Sequence, residues 1–429
     1  MSVAKRLEEK WRVVGMLWSV SFFNYADRAA LFTMFPLLQQ DLHLSTMQLG
    51  LIASSFAWTY GLLAPFSGSL VDRISRKKAI LGGLFAWSTV ASATPVARNF
   101  WQLIGFTAAE GVGESLYYPG SMSMLSDYHG PETRSRAMGF HQTSVYFGTV
   151  AGGFFAGLIG QNYGWRWSFL TFGGLGLLLG WVLSRSLREP VRQAGEGAAA
   201  TGRPSILDFL GKLFRSPAAL LLLAGFCCAN FVAMVLLSWM PTLLFERFHL
   251  SVAVAGLSAT LFVQFASMMG APIGGWLADR AQAGTPGGRS RVQGLALLCG
   301  APFVLLCSQT HSMVMISFAL TAWGLFKGIY DANIFASMYD VVLPEQRGVA
   351  AGVMNMVGWL LGGGLAPVTI SYIAQKTGFG FALACTAGVY ILGAACLLSS
   401  YWIARSGRRL WPADLPAAEV FAGSSGKAR

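Results

Sequence analysis

Apolar runs of about 20 residues recur from one end of the chain to the other, and they constrain its fold more than any other feature. A helix of that length crosses the hydrocarbon core of a bilayer and pairs every backbone amide within its own segment. The runs predict an all-α membrane protein with about 12 transmembrane helices, which we place at approximately 14–38, 48–71, 79–97, 101–127, 137–160, 168–187, 218–244, 254–278, 292–309, 313–340, 347–374 and 379–404.

The charged residues support a membrane location and set the orientation. Only 12% of the residues are charged, about half the share in a soluble domain. The net charge of +12 could serve nucleic-acid binding, but the cations cluster in alternate loops. If both termini are cytoplasmic, most of the 31 Lys and Arg lie inside, and the few that lie outside are Arg98, Arg166, Arg247 and Lys376. We therefore predict a multi-pass protein of the plasma (bacterial inner) membrane, with both termini cytoplasmic and no nucleic-acid partner.

A sequence pattern near the end of the second span recurs near the end of the eighth. The residues that match in order and spacing are Pro65, Gly68, Leu70, Asp72 and Arg73 in the first copy and Pro272, Gly275, Leu277, Asp279 and Arg280 in the second. The fourth and tenth spans repeat in the same way. We predict a six-helix N-terminal half over 1–187, a cytoplasmic loop with a short interfacial helix over 188–217, and a six-helix C-terminal half with a cytoplasmic tail over 218–429.

The loop after the second span resembles the corresponding loop of the major facilitator superfamily. It reads Gly68-Ser-Leu70-Val-Asp72-Arg73-Ile-Ser-Arg76-Lys77-Lys78, and the internal repeat and the central loop agree with that family. The resemblance implies a transporter whose solute site lies between two pseudo-symmetric halves. It also implies a cytoplasmic gate, to which we assign Asp72, Arg73 and Arg76, with Asp127 as an acidic partner at the inner end of helix four.

Two further motifs resemble two branches of that superfamily alike. They are Tyr25-Ala-Asp27-Arg28 in helix one and Gly111-Val-Gly113-Glu114-Ser-Leu-Tyr-Tyr-Pro119 in helix four. One branch, the anion:cation symporters, carries organic anions such as sugar acids, and the other, the spinster-like branch, includes transporters of lysolipids and sphingolipids. In both, the resemblance implies proton coupling at Asp27 and Glu114 and a substrate or coupling role for Arg28. Many relatives have an Arg where this chain has Thr107, and Glu110 makes the site here more acidic.

Six ionisable residues lie inside the predicted spans, and they are Asp27, Arg28, Glu110, Glu114, Lys327 and Asp331. A charge at bilayer depth costs roughly 2.5–3.5 kcal/mol on insertion scales, and these six do not balance, because four carboxylates face two cations. Two carboxylates must therefore hold a proton or meet a moving cation. The surplus lies in the N-terminal half, so we predict proton coupling at Asp27, Glu114 and Glu110. Lys327 and Asp331 are four residues apart and can pair on one helix face.

The remaining polar residues of the spans predict the character of the solute. We expect the solute to contact residues that carry charged or hydrogen-bonding groups near the midplane, which are Arg28, Lys327, Asp331, Tyr25, Tyr117, Tyr330, Asn24 and Asn355. Aromatic walls with a few amides favour a small polar molecule over a long acyl chain. We therefore predict a secondary active transporter, a proton-coupled symporter of a small organic anion (a sugar acid or carboxylate) that works by alternating access.

Two alternatives remain open. One is a spinster-like, proton-linked transporter of lysolipids or sphingolipids, and the other, from a different class, is a membrane sensor that does not transport. The sequence has no P-loop, nucleophile elbow or His cluster, and all six cysteines lie in apolar spans, so we expect no enzyme activity, no catalytic residue, no metal and no cofactor. The expected partners are the solute, protons and the lipid bilayer, with the chain acting as a monomer.

Overall fold

The computed structural model describes residues 3–189, 206–343 and 346–406, and within these ranges it contains helices and no strand. The N-terminal half contains a short 3-10 helix (Thr94–Val96) and eight α-helices, which are α1 (Val3–Thr33), α2 (Phe35–Leu42), α3 (Thr46–Arg73), α4 (Arg76–Ala93), α5 (Phe100–Ser115), α6 (Tyr117–Tyr128), α7 (Pro131–Tyr163) and α8 (Trp165–Ser186). A short helix, α9 (Ile206–Phe214), precedes the C-terminal half. Most of the predicted central loop, 190–205, lies outside the described residues, and the position of α9 on the membrane surface stays a prediction.

The C-terminal half follows the same order of helices. Its elements are α10 (Pro217–Phe248), α11 (Val252–Gly284), α12 (Gly288–Gln309), α13 (Met313–Asp331), α14 (Ile334–Tyr339), α15 (Arg347–Val357), a π-helical turn (Gly358–Gly363), α16 (Leu365–Thr377) and α17 (Phe379–Arg405). Helix α13 ends and α14 begins near the middle of the predicted tenth span, as α5 and α6 do in the fourth. The two halves therefore share their helix breaks as well as their sequence motifs.

Ten helical segments of the described chain are long and apolar enough to cross a membrane. The two other predicted spans lie in α1 and in α5–α6. The buried Asp27 and Arg28 lower the hydropathy of α1. The fourth span is divided at Ser115, because Pro119 has no N–H to donate and its ring crowds the carbonyl four residues earlier. Both exceptions therefore occur where the sequence places charge or proline inside the membrane.

Glycines allow helices of the two halves to approach closely at the face predicted to be outside. A Cβ atom on Gly153 of α7 would lie 2.8 Å from the carbonyl oxygen of Gly256 on α11, and one on Gly157 would lie 2.5 Å from the Cα of Ala253. At the same face, a Cβ on Gly50 of α3 would lie 2.4 Å from the hydroxyl of α16 Ser371. Larger side chains at these positions would force the halves apart.

Polar contacts between the halves are found at that same face. The amide of Ala253 donates to Oε1 of Gln161 at 3.2 Å, and the Ser371 hydroxyl lies 3.4 Å from the Met47 sulfur. Aromatic pairs also join the halves, among them Tyr60 with Trp359, Phe56 with Trp359 and Phe147 with Phe265. The glycine crossings and both of these polar contacts lie at the predicted outer end of the helices. The structure is therefore closed at the predicted outer face.

Candidate functional site

Helices α1 and α5 bring two opposite charges together in the interior of the N-terminal half. The Nη2 atom of Arg28 forms an ion pair with Oε2 of Glu114, and the two side chains are 5% and 2% exposed. Removing one partner of such a buried pair typically costs about 3–5 kcal/mol, because the other charge is left without compensation. Arg28 therefore has a helix-four carboxylate as its partner, and that carboxylate is Glu114 rather than Glu110.

Four aromatic rings enclose the Arg28 guanidinium, and we call them the Arg28 cage. The distances from its Cζ atom to the ring centres are 4.9 Å for Tyr25, 4.5 Å for Phe56, 5.6 Å for Tyr60 and 5.1 Å for Trp359. A desolvated cation gains roughly 0.5–2 kcal/mol over such a ring, so the cage offsets part of the cost of burying the charge. Three of the rings belong to the N-terminal half, and Trp359 comes from the C-terminal half.

The π-helical turn places Trp359 in the cage. An extra residue in this turn changes the direction of the side chains that follow, and such turns often occur at functional sites. Glycines at its ends permit close packing: a Cβ on Gly358 would lie 2.3 Å from the Phe226 ring of α10, and one on Gly364 would lie 2.4 Å from the Trp58 ring of α3. The glycine-rich sequence is thus explained by helix packing, and it holds Trp359 against Tyr60 with 4.9 Å between ring centres.

Asp27 and Glu110 lie beside the ion pair, and neither has a cation of its own among the described residues. They are 7% and 8% exposed. Neither oxygen of Asp27 makes a hydrogen bond of regular geometry, although the Trp87 indole lies beside it. Glu110 is within electrostatic range of both Asp27 and Glu114. An ionised carboxylate without a partner is costly in such surroundings, so the arrangement is suited to taking up protons.

Tyr117 does not continue the helix face of Glu110 and Glu114, because α5 ends at Ser115 and Tyr117 begins α6. Its hydroxyl donates to the carbonyl oxygen of Leu17 at 2.6 Å and lies 2.7 Å from Nε2 of His141. The side chain is 2% exposed. Tyr117 therefore connects the helix break of the fourth span to α1 and α7. Its hydroxyl forms its hydrogen bonds within the N-terminal half.

The C-terminal half supplies a second ion pair, between Lys327 and Asp331 on α13. It is more accessible than the first, with side chains 19% and 31% exposed. Tyr146 of α7 and Tyr25 of α1 both lie within electrostatic range of Lys327. Lys327 therefore faces the N-terminal half, and Tyr25 lies beside Arg28 and within electrostatic range of Lys327.

The other residues predicted to contact the solute differ in how available their polar groups are. Tyr330 is 2% exposed, and its carbonyl oxygen accepts a hydrogen bond from Gln293 at 3.3 Å, so it packs inside the C-terminal half. Asn355 on α15 is half-buried. Asn24 on α1 is buried next to Glu114, and its Nδ2 atom makes no hydrogen bond of regular geometry to the described residues. Asn24 and Asn355 can therefore serve a solute more readily than Tyr330 can.

At the predicted cytoplasmic face, the loop between α3 and α4 is tied to α6. Arg76 forms an ion pair with Asp127, and its Nε donates to the hydroxyl of Ser123 at 2.6 Å. The side chains of Asp72 and Arg73, the other two predicted gate residues, lie outside the part of the structure that is described. Arg76 and Asp127 thus meet within the N-terminal half, and not across the gap between the halves.

Glu189 is a member of this network that the sequence analysis missed. Its carboxylate accepts hydrogen bonds from the amides of Arg76 and Lys77 at 2.9 and 2.8 Å and from the Ser75 hydroxyl at 2.7 Å. Burial by itself would raise the pKa of Glu189, but these hydrogen bonds hold it below its usual value. The carboxylate therefore caps the start of α4 from the end of α8. No spacing in the sequence connects residues so far apart.

The C-terminal half contains a matching network. Arg289 forms ion pairs with Asp279 at 2.7 Å and with Asp340 at 2.6 Å. Asp279 belongs to the repeated loop motif, and Asp340 is the repeat counterpart of Asp127. The same charge pattern therefore secures one inner loop in each half.

Phe56 and Tyr60 are further residues that the sequence analysis did not select. They are four residues apart and share a helix face, and their rings stack with centres 5.9 Å apart. A tyrosine inside an apolar run was the available signal. Hydropathy does not reveal which face of α3 turns toward Arg28, and the packing of α3 beside α1 and α5 decides it.

A comparison with protein-family models identifies the fold. The model of the Major Facilitator Superfamily matches residues 17–367 and 248–416. A solved structure of a bacterial homolog to the human lysosomal transporter Spinster, in an inward-facing and unoccupied conformation, superposes with a TM-score of 0.80 at 20% identity, over 92% of this chain and 98% of that one. The predicted all-α membrane fold is thereby confirmed.

Curated relatives are transporters and not enzymes. A probable galactarate/D-glucarate transporter of Escherichia coli (strain K12) is 25% identical over 88% of this chain and 90% of its own length. A D-galactonate transporter of Escherichia coli O6:H1 is 25% identical over 92% and 96%, and protein spinster of Drosophila melanogaster is 24% identical over 85% and 62%. Both predicted branches are therefore among the relatives. This chain belongs to the Major Facilitator Superfamily and is a multi-pass membrane transporter.

Proposed function

We propose that this transporter is a proton-coupled symporter of a small organic anion. The observation that carries the proposal is the buried Arg28–Glu114 ion pair. A guanidinium is the protein group best suited to bind a carboxylate in two-point geometry, yet here a titratable carboxylate of the protein occupies it. Solute and Glu114 would thus compete for one cation, and a proton on Glu114 would decide the competition.

The coupling step follows from this competition. A proton on Glu114 removes its negative charge and weakens its hold on Arg28, which is then free to bind the solute. Asn24, Asp27 and Glu110 face the same carboxylate, so the surplus negative charge would attract and share protons. Loss of the proton on the far side would restore the Arg28–Glu114 pair and expel the anion.

The relatives suggest sugar acids as the solute. Galactarate, D-glucarate and D-galactonate are named for the bacterial relatives, and each combines a carboxylate with several hydroxyl groups. In this chain the Arg28 cage places the phenols of Tyr25 and Tyr60 beside the cation. A hydroxylated carboxylate would meet both kinds of group.

We also infer how the molecule lies and moves in the membrane. The distribution of Lys and Arg favours the plasma (bacterial inner) membrane with both termini in the cytoplasm. The N-terminal and C-terminal halves would rock about the site as units, and the inner loops of Arg76–Asp127 and Arg289–Asp340 would keep each half intact as they do so.

Uptake into proteoliposomes tests the proposal. Galactarate, D-glucarate and D-galactonate would be offered with an imposed pH gradient, acidic on the side of the solute. We expect accumulation of at least one of them, and its collapse when a protonophore is added. Uptake that ignores both the gradient and the protonophore would exclude proton coupling.

Replacement of Glu114 tests its assignment as the coupling residue. Glu114→Gln keeps the shape of the side chain and a hydrogen-bond acceptor for Arg28, but it can no longer lose a proton. We expect solute exchange to persist while pH-driven accumulation falls at least tenfold, about 1.4 kcal/mol of lost coupling. Glu132→Gln, at the exposed start of α7, is the matched control and should accumulate solute normally. Full accumulation by Glu114→Gln would remove this residue from the coupling step.

A membrane-facing groove supports a second candidate function, lysolipid transport. The groove has a volume of about 490 Å³ and entirely apolar walls, formed by Trp18, Phe22, Phe147, Val150, Ala151, Phe154, Phe155 and Leu257. An acyl chain would fit such walls better than a sugar acid would. Thermal stabilisation by lysolipids with no response to sugar acids would favour this function, and no response to either class would favour a sensor without transport.

A further inference from the structure

We infer that the solute is a dianion, with one acid group held by Arg28 and the other by Lys327. The inference rests on the proposed function and names the class of anion that the site selects. It starts from the placement of the cations. Arg28 belongs to α1 of the N-terminal half, and Lys327 belongs to α13 of the C-terminal half. Each is paired with a single carboxylate, Glu114 or Asp331.

Lys327 has unused capacity to bind an anion. Its ammonium group has three N–H donors, and within the described residues one hydrogen bond is formed, to Asp331. The Lys327 side chain is 19% exposed, compared with 5% for Arg28. Lys327 can therefore accept a second carboxylate without giving up Asp331, whereas Arg28 must first lose Glu114.

One side chain, Tyr25, lies near both cations. The Tyr25 ring centre lies 4.9 Å from the Arg28 Cζ atom, and Tyr25 is also within electrostatic range of Lys327, together with Tyr146. A short molecule placed along Tyr25 can therefore reach both. The phenol of Tyr25 near both cations and that of Tyr146 near Lys327 suit a molecule that carries hydroxyl groups between its two acid groups.

A dianion also explains how solute binding could join the halves. A monoanion on Arg28 contacts chiefly the N-terminal half. It therefore forms few contacts that would stabilise closure of the C-terminal half around it. A ligand shifts a conformational equilibrium only through contacts that differ between the two states. An anion that bridges Arg28 and Lys327 gains its second ionic contact when the halves come together, so it favours the occluded state.

Galactarate and D-galactonate form a matched pair of probes. They share a six-carbon chain and the configuration of their hydroxyl groups, and they differ in whether the last carbon is a carboxylate. We expect the purified wild-type protein to bind galactarate at least about tenfold more tightly, which is the low end for one charge-assisted hydrogen bond. Lys327→Gln should bring galactarate down to the affinity of D-galactonate and leave D-galactonate unchanged. Lys376→Gln, an exposed lysine on α16, is the control and should alter neither.

Three results would overturn the inference. One is equal affinity of the wild-type protein for the two probes. Another is an equal loss of affinity for galactarate and D-galactonate in Lys327→Gln, which would indicate that the lysine has a structural role. The third concerns Asp331→Asn, which frees Lys327 from its ion pair. We expect this variant to keep or increase the preference for galactarate, and loss of that preference would contradict the inference. These outcomes are separate from a failure of the proposed function, in which neither probe responds to a pH gradient.

Discussion

At the scale of the residue, each buried charge of this transporter has a different environment. Arg28 is enclosed by four rings and one carboxylate, Lys327 has a partly accessible partner, and Asp27 makes no hydrogen bond of regular geometry to the described residues. Carboxylates occur in all three situations, as Glu114, Asp331 and Asp27, so the environment of each is set by its neighbours and not by its chemical type. In the proposed mechanism, Arg28 would bind the solute in a step that requires a proton, and Lys327 in one that does not.

A carboxylate at the predicted outer face, that of Asp41, should make the stability of the protein depend on pH. Asp41 accepts hydrogen bonds from the Trp165 indole at 2.9 Å and from Arg166 at 2.7 Å, and these two contacts hold its pKa below the usual value. The stability that they contribute is present above the ordinary pKa of about 4 and is lost as the pH falls through the lowered pKa. Because the Asp41 side chain is 47% exposed, we expect these contacts to contribute at most about 1 kcal/mol to the free energy of unfolding.

Thermal unfolding in detergent between pH 7 and pH 3 measures this contribution. Asp41→Asn should unfold at a lower temperature than the wild-type protein at pH 7, and the difference should shrink toward pH 3. Asp208→Asn is the control, because that exposed carboxylate has, among the described residues, a single ion pair, with Lys212 at 3.4 Å. A difference between Asp41→Asn and wild type that stays constant over this pH range would contradict the assignment.

At the scale of the element, the informative positions are helix ends and interruptions. The breaks after Ser115 and Asp331, together with the π-helical turn at Gly358–Gly363, all lie near the two ion pairs. Interrupted helices leave backbone groups free of the regular ladder and redirect side chains, which is how transporters of this kind form sites at the midplane. The elements that look irregular are therefore the ones that position Glu114, Asp331 and Trp359.

The start of α4 gives an element-scale prediction. Glu189→Ala removes the acceptor of two backbone amides and the Ser75 hydroxyl, and loss of such a cap costs about 0.5–2 kcal/mol. We expect a lower unfolding temperature and faster hydrogen exchange at the amides of Arg76 and Lys77. Glu132→Ala replaces an acid in the first turn of α7 that makes no cap hydrogen bond, and it should change neither measurement. Unchanged protection of both amides in Glu189→Ala would refute the capping role.

At the scale of the whole molecule, the outer closure depends on glycine contacts between α7 and α11. A Cβ on Gly256 would lie 2.3 Å from the carbonyl oxygen of Gly153, whereas one on Gly275, on the same helix, would meet no atom within 4 Å. Overpacking of such a contact costs typically 1–3 kcal/mol. The cost falls on the closed state alone, so it changes the balance between the two faces of the transporter.

The difference between the crowded Gly256 and the uncrowded Gly275 gives a prediction about the whole molecule. Gly256→Val should shift the population toward an outward-open state and lower net uptake about tenfold, while Gly275→Val should transport at nearly the wild-type rate. In a cysteine-free background, Tyr25→Cys reports the shift, since an impermeant thiol reagent added outside should label it faster when Gly256 is also replaced. Equal labelling with and without Gly256→Val would mean that this crossing does not close the outer face.

Several properties could be predicted from the sequence because they depend on local composition. Hydropathy indicates the spans, since each must cross the same apolar thickness. The loop from Gly68 to Lys78 indicates the superfamily, and the motifs at Asp27, Arg28 and Glu114 indicate its branches. The cost of burying charge marks Glu110, Lys327 and Asp331 as unusual without knowledge of any contact. Helical spacing alone allows the pairing of Lys327 with Asp331, and the structure forms it.

Only the tertiary structure decided which groups meet. It chose Glu114 over Glu110 for Arg28, enclosed that pair with Phe56, Tyr60 and Trp359, and turned Tyr117 toward Leu17 and His141. The physical reason is that hydropathy records how deep a residue lies but not how its helix is rotated about its axis or where it crosses its neighbours. Membrane-spanning helices are apolar on most faces, so rotation and crossing are set by glycine contacts and helix breaks that become evident only when the helices are packed together.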